Sequence, residues 1–229
     1  MFKKLKEKVY QLKGLVQLQV YSLHLRQKLG KFSHDYEKYL NAQLRRSLGK
    51  KYNPLQMHAK LIVDKIAELN ELSQSRVLCI GCRNTAEINY FRSKGAEKVV
   101  GIDLFSSSPD ITIMDMHKMT FPDNHFDIIY SAHSLEHSYD VHKVVNEIIR
   151  VARPGAIVAV EVPVQYKISS TDLVDFGNLE NLHAIFEPHI SQVLWCEQQS
   201  ALSPKNEQGT AIIRSIFQVN ENREVRELI

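Results

Sequence analysis

The sequence predicts an α/β domain built on a mostly parallel sheet with helices on both faces, preceded by a basic helical extension. Three observations carry this. After Ser73, short apolar runs alternate with amphipathic segments, the pattern of strand–helix–strand units. A chain of 229 residues fits one such domain with additions. Finally, the net charge of +3 is unevenly spread. Residues 1–60 hold 14 Lys and Arg against 3 Asp and Glu, and the remainder 15 against 23. A basic arm, residues 1–53, thus precedes an acidic body, residues 54–229.

In the arm, Leu5, Val9, Leu12, Val16, Val20 and Leu23 recur at spacings of three and four, which predicts a helix from Phe2 to Leu29 stopped at Gly30. A second helix is expected from about His34 to Leu48, ending at Gly49. Pro54 suits the first turn of a third, which carries Leu61, Val63, Ile66 and Leu69. Five strands follow: "RVLCI", "KVVGID", the shorter "ITIMD", "FDIIYSA" and "AIVAVEV". Between them lie a helix over "AEINYFRSK", capped by Gly95, and an amphipathic helix over "VHKVVNEIIRVA", stopped by "RPG". "HISQVLWCEQQ" and "GTAIIRSIFQV" read as two further strands. Their polar linker is too short for a crossover helix, so they pair antiparallel. The stretch Ser169 to Phe186 is expected to form a helix over the mouth of the site.

Composition narrows the function. Hydrophobic residues make up 44% and charged residues 24%, ordinary for a soluble globular protein. No apolar run approaches the ~18 residues of a membrane span. Lysines and glutamines interrupt the first residues where an export signal needs an unbroken apolar core. Three cysteines suit a reducing cytosol rather than a disulfide framework, so a cytoplasmic location is expected. The basic arm has three readings: a lid over the active site, a helix resting on an anionic membrane or a partner, or a helix packed on its own domain. Few aromatics interleave with its basic residues, which argues against nucleic acid.

In an open α/β sheet, ligands lie beyond the carboxyl ends of the strands. The first strand ends in "VLCIGCRNTAEI", a turn with one glycine, Gly81, where a dinucleotide fingerprint would want two more near Arg83 and Ala86. Asp103 closes the second strand 22 residues later, placed to accept from ribose hydroxyls. Asn84 and Glu87 read as a helix-capping pair. Cys79 and Cys82 form a Cys-x-x-Cys, but Cys79 lies within an apolar strand and no second pair accompanies it. Packing is expected there, and no metal.

The stretch "DMHKMTFPDNHFDIIYSAHSLEH", with "ARPGAIVAVEVP" after it, resembles the class I S-adenosylmethionine-dependent methyltransferases, in the broad group that carries "FPDxxFD", an apolar strand and a "LEH" ending. The resemblance covers roughly Val77 to Val162 and not the arm. It implies a Rossmann-like fold: a seven-stranded, mostly parallel sheet with an antiparallel last strand, here with a helical N-terminal extension. It also implies that S-adenosylmethionine is the cofactor. Gly81 and Cys82 would pass its methionine part with backbone atoms. Asp103 would bind the ribose hydroxyls, and Leu104 would lie against the adenine. Asp115 would accept from the adenine amino group beside the Met116 backbone, and the Ser131 carbonyl would face the methionine amino group. Arg83 either meets the methionine carboxylate or faces solvent. Phe121, Pro122 and Asp123 read as a structural turn. S-adenosylmethionine carries no phosphate, so a glycine at position 83 is not needed for a close phosphate approach.

For a hydroxyl acceptor, a base is useful, and histidine suits that work near neutrality. His137, closing "SLEH" with Glu136 beside it, is the first candidate, and His133 the second. The Asn/Asp-Pro-Pro-aromatic motif of DNA amino-methyltransferases is absent after the fourth strand, as is the paired-glutamate loop of arginine methyltransferases. The expected acceptor is therefore a small molecule, a sugar or a lipid-linked group, methylated on oxygen. The competing expectation is a non-catalytic binding or scaffold protein that kept the fold.

Overall fold

The computed structural model describes residues 19–20, 22–24, 26–28, 30, 32–50, 52–106, 108–202 and 209–221. Most of the helix expected over Phe2–Leu29 lies outside the described residues. The described positions between 19 and 28 are helical, and Gly30 closes that segment at φ +88° with its N–H on the Arg26 carbonyl. The remaining elements are α1 (His34–Lys50), α2 (Met57–Leu69), β1 (Arg76–Ile80), α3 (Ala86–Ser93), β2 (Lys98–Asp103), β3 (Ile111–Ile113), β4 (Phe126–Ala132), α4 (Val141–Val151), β5 (Ala152–Pro163), α5 (Leu179–Phe186), β6 (Ile190–Gln199) and β7 (Ile212–Val219). A single 3-10 turn, Leu135–His137, follows β4.

The strands form one seven-stranded sheet in the order β3-β2-β1-β4-β5-β7-β6. Strands β1 to β5 pair in parallel, and β7 runs antiparallel to both of its neighbours. Successive side chains of a strand point to opposite faces, and the central strands are apolar on both. Leu78, Ile80, Ile129, Val158 and Val160 face α4 and α5 in a cluster with Ile148 and Phe186. Val77, Cys79, Ile128, Tyr130 and Ala159 share the other cluster with Ile62 and Ile66 of α2 and Ile88 and Phe91 of α3. The parallel strands are read as near-continuous hydrophobic runs because both faces are covered.

Four boundaries depart from the sequence reading, each for a local reason. Pro54 stays outside α2, because Gln56 is extended (φ −80°, ψ 152°) and the helix starts at Met57. β3 ends at Ile113, since Asp115 turns to bridge Lys118. β5 begins at Ala152, which pairs with Phe126 ahead of the apolar run. Only the last eight residues of Ser169–Phe186 are helical. Gly177 takes φ +71°, and Asn178 then caps α5 by accepting from the Asn181 N–H at 2.9 Å. The helix packs against the sheet, and it is the preceding irregular segment that reaches the site. Asn84 and Glu87 also differ: Asn84 Oδ1 accepts from the Ala86 N–H at 2.9 Å, while Glu87 turns inward beside Tyr130.

The turn at Phe121–Asp123 is structural. Arg150 of α4 donates to the Phe121 carbonyl (2.8 Å), the Met119 carbonyl (2.8 Å) and Asp123 (2.7 Å), and the Phe121 ring meets Phe126 edge-on. The cysteine pair is packing too. Cys79 and Cys82 are buried free thiols, pushed well above the usual thiol pKa first by burial. Cys82 Sγ rests over Gly101 of β2, where a Cβ would stand 2.4 Å from Sγ and 2.9 Å from Ile88 Cδ1. Gly101→Ala should therefore destabilise the fold by about 1–3 kcal/mol through overpacking, read as a lower urea midpoint at unchanged slope. Adding Cys82→Ala should return part of the loss. Equal midpoints for Gly101→Ala and the parent chain would contradict this packing.

Candidate active site

A cavity of about 290 Å³ opens at the carboxyl ends of β1, β2 and β4. Eight of the ten residues expected at the site line it: Gly81, Arg83, Asp103, Leu104, Asp115, Met116, His133 and His137. Cys82 and Ser131 are not among the lining residues. The Cys82 thiol points beneath the turn toward Gly101, and Ser131 is 1% exposed within β4. The position next to Gly81 goes instead to Ser134, whose hydroxyl donates to the Ile80 carbonyl at 3.0 Å. That contact explains the glycine: Gly81 has φ +72°, and a Cβ there would lie 2.1 Å from Ser134 Oγ.

Arg83 is left-handed as well, at φ 51°. This geometry aims its N–H at Asp103 Oδ2, 2.9 Å away. The Leu104 N–H donates to Asp103 Oδ1 at 2.7 Å, and the Ser47 side chain lies nearby on the cavity wall. Burial raises the Asp103 pKa, against the lowering effect of those N–H groups. A carboxylate has about four lone-pair sites, so Asp103, with two N–H donors, retains capacity for a ligand.

Asp115 is engaged on both oxygens. Tyr36 of α1 donates to Oδ2 at 2.6 Å, and the His117 N–H (2.9 Å) and Nδ1 (2.7 Å) meet Oδ1. His117 Nε2 accepts from the Tyr139 N–H at 3.0 Å, which leaves the ring proton on Nδ1, toward Asp115. Burial alone would raise the Asp115 pKa, but His117 and Tyr36 outweigh it and hold the group below its usual value.

Helix α1 spans the cavity. Tyr39, Gln43, Arg46, Ser47 and Lys50 project into it from one helical face. Gln43 donates to the Thr171 carbonyl at 2.8 Å, and Arg46 meets Asp172 at 2.5 Å. Of the arm's described residues, α1 packs on the domain and forms part of the cavity wall. Burial lowers the Lys50 pKa, helped by Arg46 and Arg83 nearby.

Opposite the Gly81 turn, histidines and carboxylates alternate. Burial alone would lower the His133 pKa, but Glu136 and Glu161 raise it to about 9. Its Nδ1 lies 3.5 Å from Glu136 Oε1 and its Nε2 2.9 Å from Glu161 Oε1. His137 Nε2 is also 3.5 Å from Glu136 Oε1, while its Nδ1 contacts the Thr171 carbonyl at 2.8 Å. His58, just inside α2, contacts Glu161 Oε1 from the other side. Arg214 of β7 holds Glu161 Oε2. Against its burial, His133 and His58 keep the Glu161 carboxyl well below the usual range. The sequence reading missed His58, Glu161 and Arg214. The available signal was a lone charge inside each of two apolar strands, "AIVAVEV" and "AIIRSIFQV".

Residues 78–160 match a family described as "Methyltransferase domain". Cycloartenol-C-24-methyltransferase of Arabidopsis thaliana is 31% identical over 98 residues, 43% of this chain and 27% of that protein. The curated relatives, all sterol-type methyltransferases, are matched over only 16–27% of their length. Among solved structures, the Burkholderia thailandensis 1,6-didemethyltoxoflavin-N1-methyltransferase, bound to S-adenosylhomocysteine, superposes with TM-score 0.63 at 15% identity, covering 83% of this chain and 91% of that one. The [4+2]-cyclase SpnF superposes with TM-score 0.58 at 17% identity, covering 75% and 85%. These likenesses show the fold.

Glu87, beneath the Gly81 turn, gives a stability test. Burial raises its pKa to about 7, although Arg83 and Tyr130 oppose the shift. A carboxyl with a raised folded pKa contributes stability that is full below its unfolded pKa of about 4.3 and is lost as pH rises through 7. Glu87→Gln should match the parent chain near pH 4.5 and be more stable by about 1–3 kcal/mol at pH 8.5. Parallel stability–pH curves for the two proteins would rule out the shift.

Proposed function

We propose that this chain, which carries a class I S-adenosylmethionine-dependent methyltransferase domain, transfers a methyl group to a hydroxyl of a small-molecule, sugar or lipid-linked acceptor. The observation that carries this is the division of one cavity into two chemistries. Gly81, Arg83, Asp103, Leu104, Asp115 and Met116 line one side, and His133 and His137 line the other. The first set fits S-adenosylmethionine: a backbone cradle that a Cβ at Gly81 would fill, a buried Asp103 with a lone pair to spare, and apolar Leu104 and Met116 for the adenine. Arg83 stands at the turn for the methionine carboxylate. When bound, the cofactor supplies a methyl group on a sulfonium, already activated for transfer.

The protein's own work is then to hold the acceptor and receive its proton. With a pKa near 9, His133 carries its proton at neutral pH and is a poor base in this state. His137 is better placed. With its Nδ1–H toward the Thr171 carbonyl, Nε2 is left to take the hydroxyl proton. Thr171 and Asp172, held by Gln43 and Arg46 of α1, fix the ring. The likeness to a sterol methyltransferase makes lipid-like acceptors the first compounds to test.

The alternative is a binding protein that keeps the fold, and the engagement of Asp115 by Tyr36 favours it. Calorimetry separates the two. S-adenosylmethionine should bind, Asp103→Ala should weaken it at least tenfold, and Arg83→Ala several-fold. No binding at millimolar cofactor would leave only the alternative. Once an acceptor is found by labelled-methyl transfer into small-molecule and lipid extracts, His137→Ala should lower kcat by about 10²–10⁴-fold with cofactor affinity unchanged. Full turnover in that variant would remove His137 from the chemistry.

A further inference from the structure

Two groups of histidine and carboxylate flank the cavity closely enough to share an ion: His58 with His133 and Glu161, and Glu136 with His137 and Asp172. They differ in how their atoms are engaged. In the second group, Asp172 Oδ1 is taken by Arg46 and His137 Nδ1 by the Thr171 carbonyl. In the first, His58 Nδ1, His133 Nε2 and Glu161 Oε1 are all buried, and none has an aligned hydrogen-bond partner among the described residues. We propose that His58, His133 and Glu161 form a binding site for one divalent transition-metal ion, with zinc or manganese as its chemical type.

The geometry favours an ion over mutual pairing. The three atoms lie within 4.8 Å of one another, and His133 Nε2 is 2.9 Å from Glu161 Oε1. If the rings were simply donating to the carboxylate, their N–H bonds would point along these lines; they do not. Ligands of a common ion aim at the ion instead, and at metal–ligand distances of about 2.0–2.2 Å they sit roughly 3 Å apart without being hydrogen-bonded to each other; His133 Nε2 and Glu161 Oε1 stand at that spacing, and His58 Nδ1, which is closer to Oε1, has to draw back as an ion enters. Two imidazoles and one carboxylate suit zinc, manganese or iron better than the oxygen-loving calcium or magnesium.

The surroundings are those of ligands held from behind. Arg214 donates to Glu161 Oε2, which leaves Oε1 as the single coordinating oxygen. The other ring nitrogen of His133 faces Glu136 Oε1 at 3.5 Å, and the His133 N–H donates to the Glu161 carbonyl at 2.9 Å. Such outer contacts fix the orientation of metal-binding imidazoles and carboxylates. Glu136 and Glu161 together balance a dication, and both are fully buried. Three protein ligands leave an open position. His58 and His133 both line the cavity, so that position faces the acceptor side. An oxygen of the acceptor could enter there and have its pKa lowered. That role rests on the reaction proposed above, whereas the binding of the ion does not.

The test uses the full chain, stripped by chelator and dialysed against zinc or manganese without cofactor or acceptor. About one equivalent of zinc or manganese should be retained, as read by elemental analysis. His58→Ala and His133→Ala should each lose at least tenfold in affinity, while Asp172→Asn, in the neighbouring group, keeps it. Cobalt substituted into the parent chain should give visible absorption bands that change in His58→Ala. If a variant does not fold, anomalous diffraction at the zinc edge from parent crystals decides: a peak between His58, His133 and Glu161 is expected. No retained metal, a peak elsewhere, or equal affinity in folded His58→Ala and the parent would overturn the site. Because metal content is read without turnover, an acceptor that is never found leaves this result intact.

Discussion

The site depends on one buried carboxylate, Glu161. It lies in the apolar run of β5 with no exposure, where an unpaired charge would be several kcal/mol out of place. The register of the antiparallel strands resolves this. Arg214 of β7 is directly opposite Glu161, and Glu197 of β6 is directly opposite Arg214. Arg214 binds both, reaching Glu197 at 2.9 Å. A one-residue slip of β7 would turn Arg214 to the other face and strand the carboxylate. Charge satisfaction and strand register thus enforce each other. The reversed last strand, far from the glycine turn in sequence, holds the group that anchors His133 and His58.

Helix α1 is bound up with the same cavity through polar contacts as well as packing. Its apolar residues Tyr39, Leu40 and Leu44 form a small cluster with Phe105, separate from the two sheet faces. Its polar face meets Asp115 through Tyr36 and the Thr171–Asp172 segment through Gln43 and Arg46. Any ligand entering the cavity therefore shares or exchanges hydrogen bonds with α1, and the net change in free energy is the difference between two similar sets of bonds, about 1 kcal/mol apiece. The arm belongs to the binding site physically, although nothing in its own sequence marks it as such.

How much of this could be read in advance follows from distance along the chain. β1, β2 and β4 were legible to the residue, because each centres on a short apolar run. Gly81 and Asp103 were legible at strand ends, since chemistry in this architecture gathers there, and Asp115 lies two residues past the end of β3. Ser134 was not, because its role is to pack over a glycine more than fifty residues away. His58, Glu161 and Arg214 come from three separate segments, and only the register of β5 and β7 brings the last two together. The expected helix over Ser169–Phe186 failed in its first part because Asp175 bonds to the Gly177 N–H at 2.9 Å and Gly177 turns left-handed, a local alternative that apolar spacing does not reveal.

The sparse glycines of the first turn show how sequence and conformation can part. Position 83 still takes the left-handed conformation that would favour glycine, so the expected release from that constraint is only half the account. A non-glycine residue there costs roughly 1–2 kcal/mol. The Arg83 N–H recovers much of this by donating to buried Asp103, a charge-assisted bond that only the left-handed turn allows. What a dinucleotide site could not accept is the side chain itself, beside a pyrophosphate that needs bare backbone. A ligand without phosphate leaves room for it. The turn keeps its shape, Asp103 keeps its orientation, and Arg83 lines the cavity.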